Sequence, residues 1–361
     1  MKAALFCTSR YTGPAPQGVW PLPNAYCDPE IAERSMHETL EQFHFAETFG
    51  FDWVTVAEHH YTSISMTPNP MIVAGALTQI VKRAKIAVLG PTLPILNPVR
   101  VAEELAMLDT MTGGRIIAGL MRGTPNEYVT YNVNPSESRA RFAEALEIIR
   151  RAWTEPQPFG WQGRYYQYST ISIWPRPVQR PHPPIYMSGS SPEAGELAAR
   201  NRIGLGFAFT TVPLAAKAAT YYRAQAREAG WEPTPDDVIY RIGFHVAETD
   251  EAAFADMNAT GPRVALTTAN AAINAAMTET SYYGRDQAQV NRTATRTLAD
   301  RIEQGQVLVG SPETVVKQIA RIRDALGAGI LDCVVAAQLG NKTTRSIELF
   351  GTKVLPRIRE F

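Results

Sequence analysis

The sequence predicts an α/β fold, a single (β/α)8 barrel with insertions at the C-terminal face of its strands. Three observations point there: short β-branched apolar runs recur along the chain, helical periodicity separates each from the next, and the runs number eight, as a closed parallel barrel requires. At 361 residues, 45% hydrophobic and 19% charged, the chain can bury one large core, so residues 1–361 are expected to form one domain.

The strands are expected at residues 3–8, 53–58, 85–91, 115–121, 184–188, 204–209, 239–247 and 331–337. Between the first two, Met36, Leu40 and Phe43 repeat at helical spacing before Gly50, a residue suited to ending a helix. Val101, Leu105 and Leu108 repeat the pattern ahead of Gly113-Gly114, and Phe142, Leu146, Ile149 and Trp153 give a third stripe. Such stripes are the faces that crossover helices bury against a sheet. Two stretches break the alternation. Residues 156–184, with Trp161, Tyr165, Tyr166, Tyr168 and Trp174, are expected as a long functional or covering loop. Residues 254–306, rich in Ala, Thr and Asn, are expected as a helical insertion or lid over the strand ends.

Composition narrows the function. Lys plus Arg equals Asp plus Glu at 35 each, so no global field favours nucleic acid or a membrane surface. No apolar run approaches the roughly 20 residues that cross a bilayer, and the apolar start of the chain reads as a first strand, not a secretion signal. Cys7, Cys27 and Cys333 are odd in number and far apart, which gives neither a disulfide framework nor a metal spacing. Thiols buried in a reducing compartment are expected, and with them a cytoplasmic protein.

The ends of the strands hold the chemistry. Glu58, His59 and His60 follow the second strand, Leu89-Gly90-Pro91-Thr92 close the third, Arg122-Gly123 follow the fourth, and Gly189-Ser190-Ser191-Pro192-Glu193 follow the fifth. In a barrel these converge on one mouth. Ser191 suits an N-cap and Pro192 the first helical position, and the backbone N–H groups of the preceding Gly189 and Ser190 are expected to be available. A helix start of this kind binds an anion, with Arg122 as a forked cation for a phosphate. An ordinary capped helix is the alternative, which Gly310-Ser311-Pro312-Glu313 also fits. Only six histidines are present, and neighbours on an extended chain point apart, so a metal site at His59 and His60 is disfavoured. One imidazole is expected to act as acid, base or donor, and the residues alone leave open which. Gly90, inside an apolar strand, marks a bulge where a planar ligand can approach the backbone.

Several separated motifs, in order, then match one family. Gly50-Phe-Asp-Trp-Val-Thr-Val-Ala-Glu-His-His60, Leu96-Asn-Pro-Val-Arg-Val-Ala-Glu-Glu104, Leu108-Asp-Thr-Met-Thr-Gly-Gly-Arg115, His182-Pro-Pro-Ile185 and Val309-Gly-Ser-Pro-Glu-Thr-Val315 resemble the signatures of the bacterial luciferase-like flavin-dependent monooxygenases. The resemblance covers nearly the whole chain. It implies a TIM barrel that binds reduced FMN, reacts it with dioxygen to a flavin hydroperoxide, and oxygenates a small organic substrate. It also implies a homodimer or homotetramer. By motif position it implies Glu58 near the flavin, His59 as the catalytic histidine beside the candidate His60, and Leu89-Gly90 at a bulge, often with a non-proline cis peptide, against the ring. Arg122 and Ser190-Ser191 fall at the phosphate. Two departures stand out: the luciferase cysteine before the arginine is Met121 here, and a carboxylate of the phosphate loop is Ser190. Long-chain aldehyde and light emission are therefore not implied. No GxGxxG fingerprint opens a helix after a strand, which favours a separate flavin reductase as the source of reduced FMN. A deazaflavin-dependent oxidoreductase of the same superfamily, transferring hydride, and a non-catalytic flavin-binding protein are the alternatives.

Overall fold

The computed structural model describes residues 1–16, 19–208, 210–260, 297–336 and 339–361. Its strands are β1 (Lys2–Phe6), β2 (Trp53–Val56), β3 (Lys85–Thr92), β4 (Ile116–Met121), β5 (Phe159–Gln162), β6 (Gln167–Ile171), β7 (Ile185–Ser188), β8 (Gly204–Ala208), β9 (Val238–Val246), β10 (Val307–Gly310) and β11 (Ile330–Val335). The helices are α1 (Pro29–Thr48), α2 (Pro70–Ile80), α3 (Pro98–Thr112), α4 (Pro125–Thr130), α5 (Ser138–Thr154), α6 (Pro192–Asn201), α7 (Val212–Glu228), α8 (Asp250–Ala259), α9 (Leu298–Glu303), α10 (Pro312–Leu326), α11 (Asn341–Leu349) and α12 (Leu355–Ile358).

Eight parallel strands close the barrel in the order β1-β2-β3-β4-β7-β8-β9-β11 and back to β1. The expected strands are all present, and their ends shift by one or two residues where a turn or cap begins. The last expected residues of two of them, Phe209 and Ala337, lie outside the described set. A short further strand escaped the sequence reading. β10 pairs with the upper half of β9, Val307 opposite Gly243 through Gly310 opposite Val246, while the lower half of β9 pairs with β8.

Local chemistry starts the helices. Asp28, Asn69, Asn97, Thr124, Ser191 and Ser311 each precede a proline that opens a helix, which joins a side-chain acceptor for the free N–H groups to a residue that lacks one. Gly113, at φ 65°, ends α3, a left-handed cap that a side chain would strain. The stripes on α3 and α5 are buried as expected. On α1 the buried face is centred on Ser35, Thr39, Phe43 and Ala46, and Met36 and Leu40 lie half-buried at its flank.

Residues 156–184 are not a plain loop. β5 and β6 form an antiparallel hairpin there, and the Glu144 carboxylate of α5 gathers it by accepting from the Trp161 indole at 3.1 Å, the Tyr165 N–H at 3.1 Å and the Tyr166 N–H at 3.0 Å. The Tyr168 hydroxyl donates to Asn97 at 3.0 Å. These rings pack the hairpin onto the barrel's side. Beyond it, the fully buried Asp109 of α3 accepts from the N–H groups of Val178 and Gln179 at 2.8 and 3.0 Å, and from the Gln179 amide at 2.7 Å. Of residues 254–306, the described parts are the end of α8, α9 and the approach to β10; residues 261–296, and so most of the expected lid, lie outside the described set.

Candidate active site

β2 ends one residue before Ala57, and the next three side chains part company. Glu58 turns back and is buried with His60: its Oε1 accepts from His60 Nε2 at 3.3 Å, and its Oε2 accepts from the Thr92 N–H at 3.3 Å. The carboxylate therefore ties the end of β2 to the end of β3. The His60 ring packs edge-on to Tyr131, centroids 5.1 Å apart, and its carbonyl accepts from the Trp20 indole at 3.0 Å. His59 points the other way. Its side chain is 36% exposed, and its Nδ1 lies 3.2 Å from Glu127 Oε1.

Glu127 was not foreseen. It stands at the third position of α4 and is almost fully buried, its Oε2 accepting from the Thr124 N–H at 2.7 Å and from the Thr124 hydroxyl. Burial alone would push this carboxyl up, but the hydrogen bond and charge of His59 and the Thr124 donors outweigh it and hold the group below its ordinary value. An ionised carboxylate only accepts, so His59 Nδ1 carries a hydrogen, and Nε2 is the nitrogen that can take or give up the other proton. The sequence Thr124-Pro-Asn-Glu127 had the spacing of a capping box, which locates the carboxylate but not the imidazole it meets.

β3 closes on the expected irregularity. The Leu89–Gly90 peptide is cis, and the register against β4 shifts between Leu89 and Thr92. A Cβ on Gly90 would lie 2.2 Å from the carbonyl oxygens of both Gly119 and Val88, so only glycine fits between these two backbones.

The anion-site residues also come together. Ser191 caps α6, accepting from the Ala194 N–H at 3.3 Å, but the Gly189 N–H, expected to be free for an anion, donates to the Gly206 carbonyl of β8 at 3.2 Å. Glu193, in the first turn of α6, has its carboxyl held below the usual range by its own backbone N–H, by Ser191, and by the charges of Arg139 and Arg122. Arg122, at the end of β4, is thus near enough for its charge to reach the first turn of α6. Arg139, 3.4 Å from Glu193, is a second cation there that the sequence did not single out. The buried Tyr128 donates its hydroxyl to the Arg122 carbonyl. One loop, 121–127, hence carries both Arg122, near the start of α6, and Glu127, behind His59.

Residues 1–329 match the family described as luciferase-like monooxygenase. The chain spans about half the length of the first curated relatives it matches. The 4-hydroxyprotoasukamycin monooxygenase of Streptomyces nodosus subsp. asukaensis is similar over a longer stretch, 24% identical over 337 residues, 90% of this chain and 87% of that protein. Two solved structures share the fold: the FMN complex of the oxygenating constituent of 3,6-diketocamphane monooxygenase from Pseudomonas putida, at 20% identity, and an F420-dependent secondary alcohol dehydrogenase, at 21%. Their TM-scores are 0.76 and 0.72, and each comparison covers 99% of both chains. Since the family match runs through 329 of 361 residues, the chain belongs to the luciferase-like monooxygenase family.

Proposed function

We propose that the protein is a flavin-dependent monooxygenase that uses reduced FMN and dioxygen to oxygenate a small organic substrate. The observation that best supports this is the pairing, across loop 121–127, of the candidate anion cradle at the start of α6 with a half-buried, carboxylate-backed imidazole. A phosphate-bearing planar ring suits these residues. Arg122, Ser190, Ser191 and the N–H groups beside Gly189 would hold the phosphate, and the Leu89–Gly90 bulge, bare of any Cβ at Gly90, would lie along the ring. When bound, reduced FMN supplies the electrons that activate dioxygen.

The chain's own residues do the rest. His59 holds or moves a proton at Nε2, and Glu127 positions it by fixing the other nitrogen. Glu58 keeps the bulge in place through Thr92. His60, buried on Glu58, is assigned to the scaffold and not to proton transfer. The reading also carries a separate reductase as the source of reduced FMN, a homodimer or homotetramer, and a cytoplasmic location.

Anaerobic titration tests it: reduced FMN should bind, and oxygen uptake in excess of hydrogen peroxide release should appear with at least one member of a substrate screen. Absence of flavin affinity would overturn the proposal. The dehydrogenase neighbour that uses F420 favours a second reading, hydride transfer with a deazaflavin. Turnover that persists without dioxygen, with reduced deazaflavin as donor, would select it.

A further inference from the structure

Strand alternation divides β9 cleanly. Ile239 belongs to the cluster that fills the barrel axis, together with Ala4, Trp53, Ile117, Tyr186 and Ile330, so Arg241 and Gly243 face inward as well. On β8 the same face carries Gly204, whose missing Cβ leaves room for the Tyr186 ring, and above it Gly206 and Ala208. In a filled barrel such positions hold bulky side chains in layers. Here Gly206, Ala208, Arg241 and Gly243 are half-buried, while Phe207, Ile242 and Phe244 between them are buried under the helices. Among the described residues, the inward wall of β8 and β9 is therefore less closely covered above the lowest layer.

One cation reaches into that space. Arg241 Nε and Nη2 each lie 2.6 Å from Asp332 Oδ2, Asp332 Oδ1 accepts from the Thr55 hydroxyl at 2.7 Å, and the guanidinium lies 3.7 Å from the centre of the Phe6 ring. Three strands and an aromatic face fix the fork. Among the described residues Nη1 has no hydrogen-bond partner, and the side chain is 12% exposed where that of Asp332 is 1%. The guanidinium and the carboxylate cancel in charge. A ligand carboxylate against Nη1 would leave a net negative charge out of water, whereas a neutral oxygen would gain a charge-assisted hydrogen bond with no such cost.

We propose that Arg241, seated on Asp332, Thr55 and Phe6, orients the substrate from the floor of the mouth, and that the substrate offers it a neutral carbonyl oxygen, as a ketone, aldehyde, lactone or quinone does. The small residues Gly206 and Ala208 border the body of that molecule. The inference deepens the monooxygenase reading and rests on it for the word substrate.

The test compares size-matched probes, cyclohexanone and cyclohexanecarboxylate, by ligand-observed NMR on the protein with and without FMN. Wild type should bind the ketone at least tenfold more tightly than the carboxylate. The double variant Arg241→Met, Asp332→Asn, which strands no buried carboxylate, should lose ketone affinity by about 10- to 100-fold, with reduced-FMN affinity within threefold of wild type. If that variant does not fold, Arg241→Lys keeps the charge but not the planar fork and should show the same loss. A preference for the carboxylate, binding of neither probe by wild type, or unchanged ketone affinity in the variants would overturn the assignment. So would a fall in flavin affinity with ketone binding intact, which would place Nη1 on the flavin. Wild type that binds the ketone but not reduced FMN would instead sink the monooxygenase reading and leave the carbonyl site standing.

Discussion

Replacing Glu127 with Gln should exchange the hydrogens of His59. In the native site one carboxylate serves two neighbours, with Oε1 facing His59 Nδ1 at 3.2 Å and Oε2 facing the Thr124 N–H at 2.7 Å together with its hydroxyl. A glutamine has one acceptor oxygen. Thr124 presents two donors, so the oxygen turns to it and the NH2 turns to His59, which can receive that group only on a bare Nδ1. In the neutral ring the hydrogen then moves to Nε2, and that nitrogen changes from acceptor to donor. Hydrogen bonds to a charged partner contribute about 1.5–3 kcal/mol and neutral ones about 0.5–1.5, so the exchange should cost about 1–2 kcal/mol, or roughly 1–3 °C in Tm for a chain of this size. Turnover should fall about 10- to 100-fold, part of the range of one general acid or base, with reduced-FMN affinity within about threefold. The sign with pH follows from linkage. Glu127 is held below its ordinary value, so its stabilisation is full above the unfolded carboxyl pKa, about 4.3, and is lost as pH falls through the lower folded value. The Tm gap between wild type and variant should therefore close below about pH 4. Imidazole nitrogen NMR would read the tautomer directly. A hydrogen still on Nδ1 in the variant, or a Tm gap that stays constant into acid, would refute the reasoning.

Gly90→Ala should prevent folding or cost about 3 kcal/mol or more, since its Cβ would meet two carbonyl oxygens at 2.2 Å; normal soluble yield and an unchanged denaturation midpoint would contradict this. Glu193→Gln removes the acid that faces Arg122 and Arg139, and should tighten FMN binding about two- to fivefold at low salt while leaving riboflavin unchanged. An equal gain for both would remove the phosphate from that helix start. Asp109→Ala strands three donors on Val178 and Gln179 and should lower stability by about 3 kcal/mol in urea unfolding, with flavin affinity measured on the folded fraction little altered.

The barrel was legible because its strands are apolar on both faces and its helices carry caps that can be read singly, such as Asn97-Pro98 and Gly113. What escaped depended on tertiary pairing. The four residues of β10 are too few for a periodic signal, and it follows a stretch rich in Ala and Thr. The hairpin of β5 and β6 read as loop because its order comes from Glu144, a carboxylate on another element. At the mouth, Glu58, His59 and His60 were visible as polar residues where an apolar run ends, yet their opposite directions follow from Thr92 and Glu127, distant in sequence. Arg241 and Asp332 each interrupt an apolar strand, a violation of pattern that marks interior chemistry once both are known to face the axis.

The segment Leu108 to Arg115, among the motifs that make this chain recognisable, is engaged in holding the polypeptide together. Asp109 pins the crossing at Val178 and Gln179, Gly113 ends α3, and Arg115 donates from Nη1 to the Ala84 carbonyl at 2.9 Å. Some of the residues that mark ancestry thus hold the fold, while others, in Gly50 to His60, stand at the candidate site. A descendant that lost Glu58, His59 and Glu127 would still be matched over Leu108 to Arg115, while an active relative could drift there and keep its mouth. Kinship certifies the vessel; on the proposed reading, turnover rests on Glu127 behind His59 and on what stands opposite Arg122.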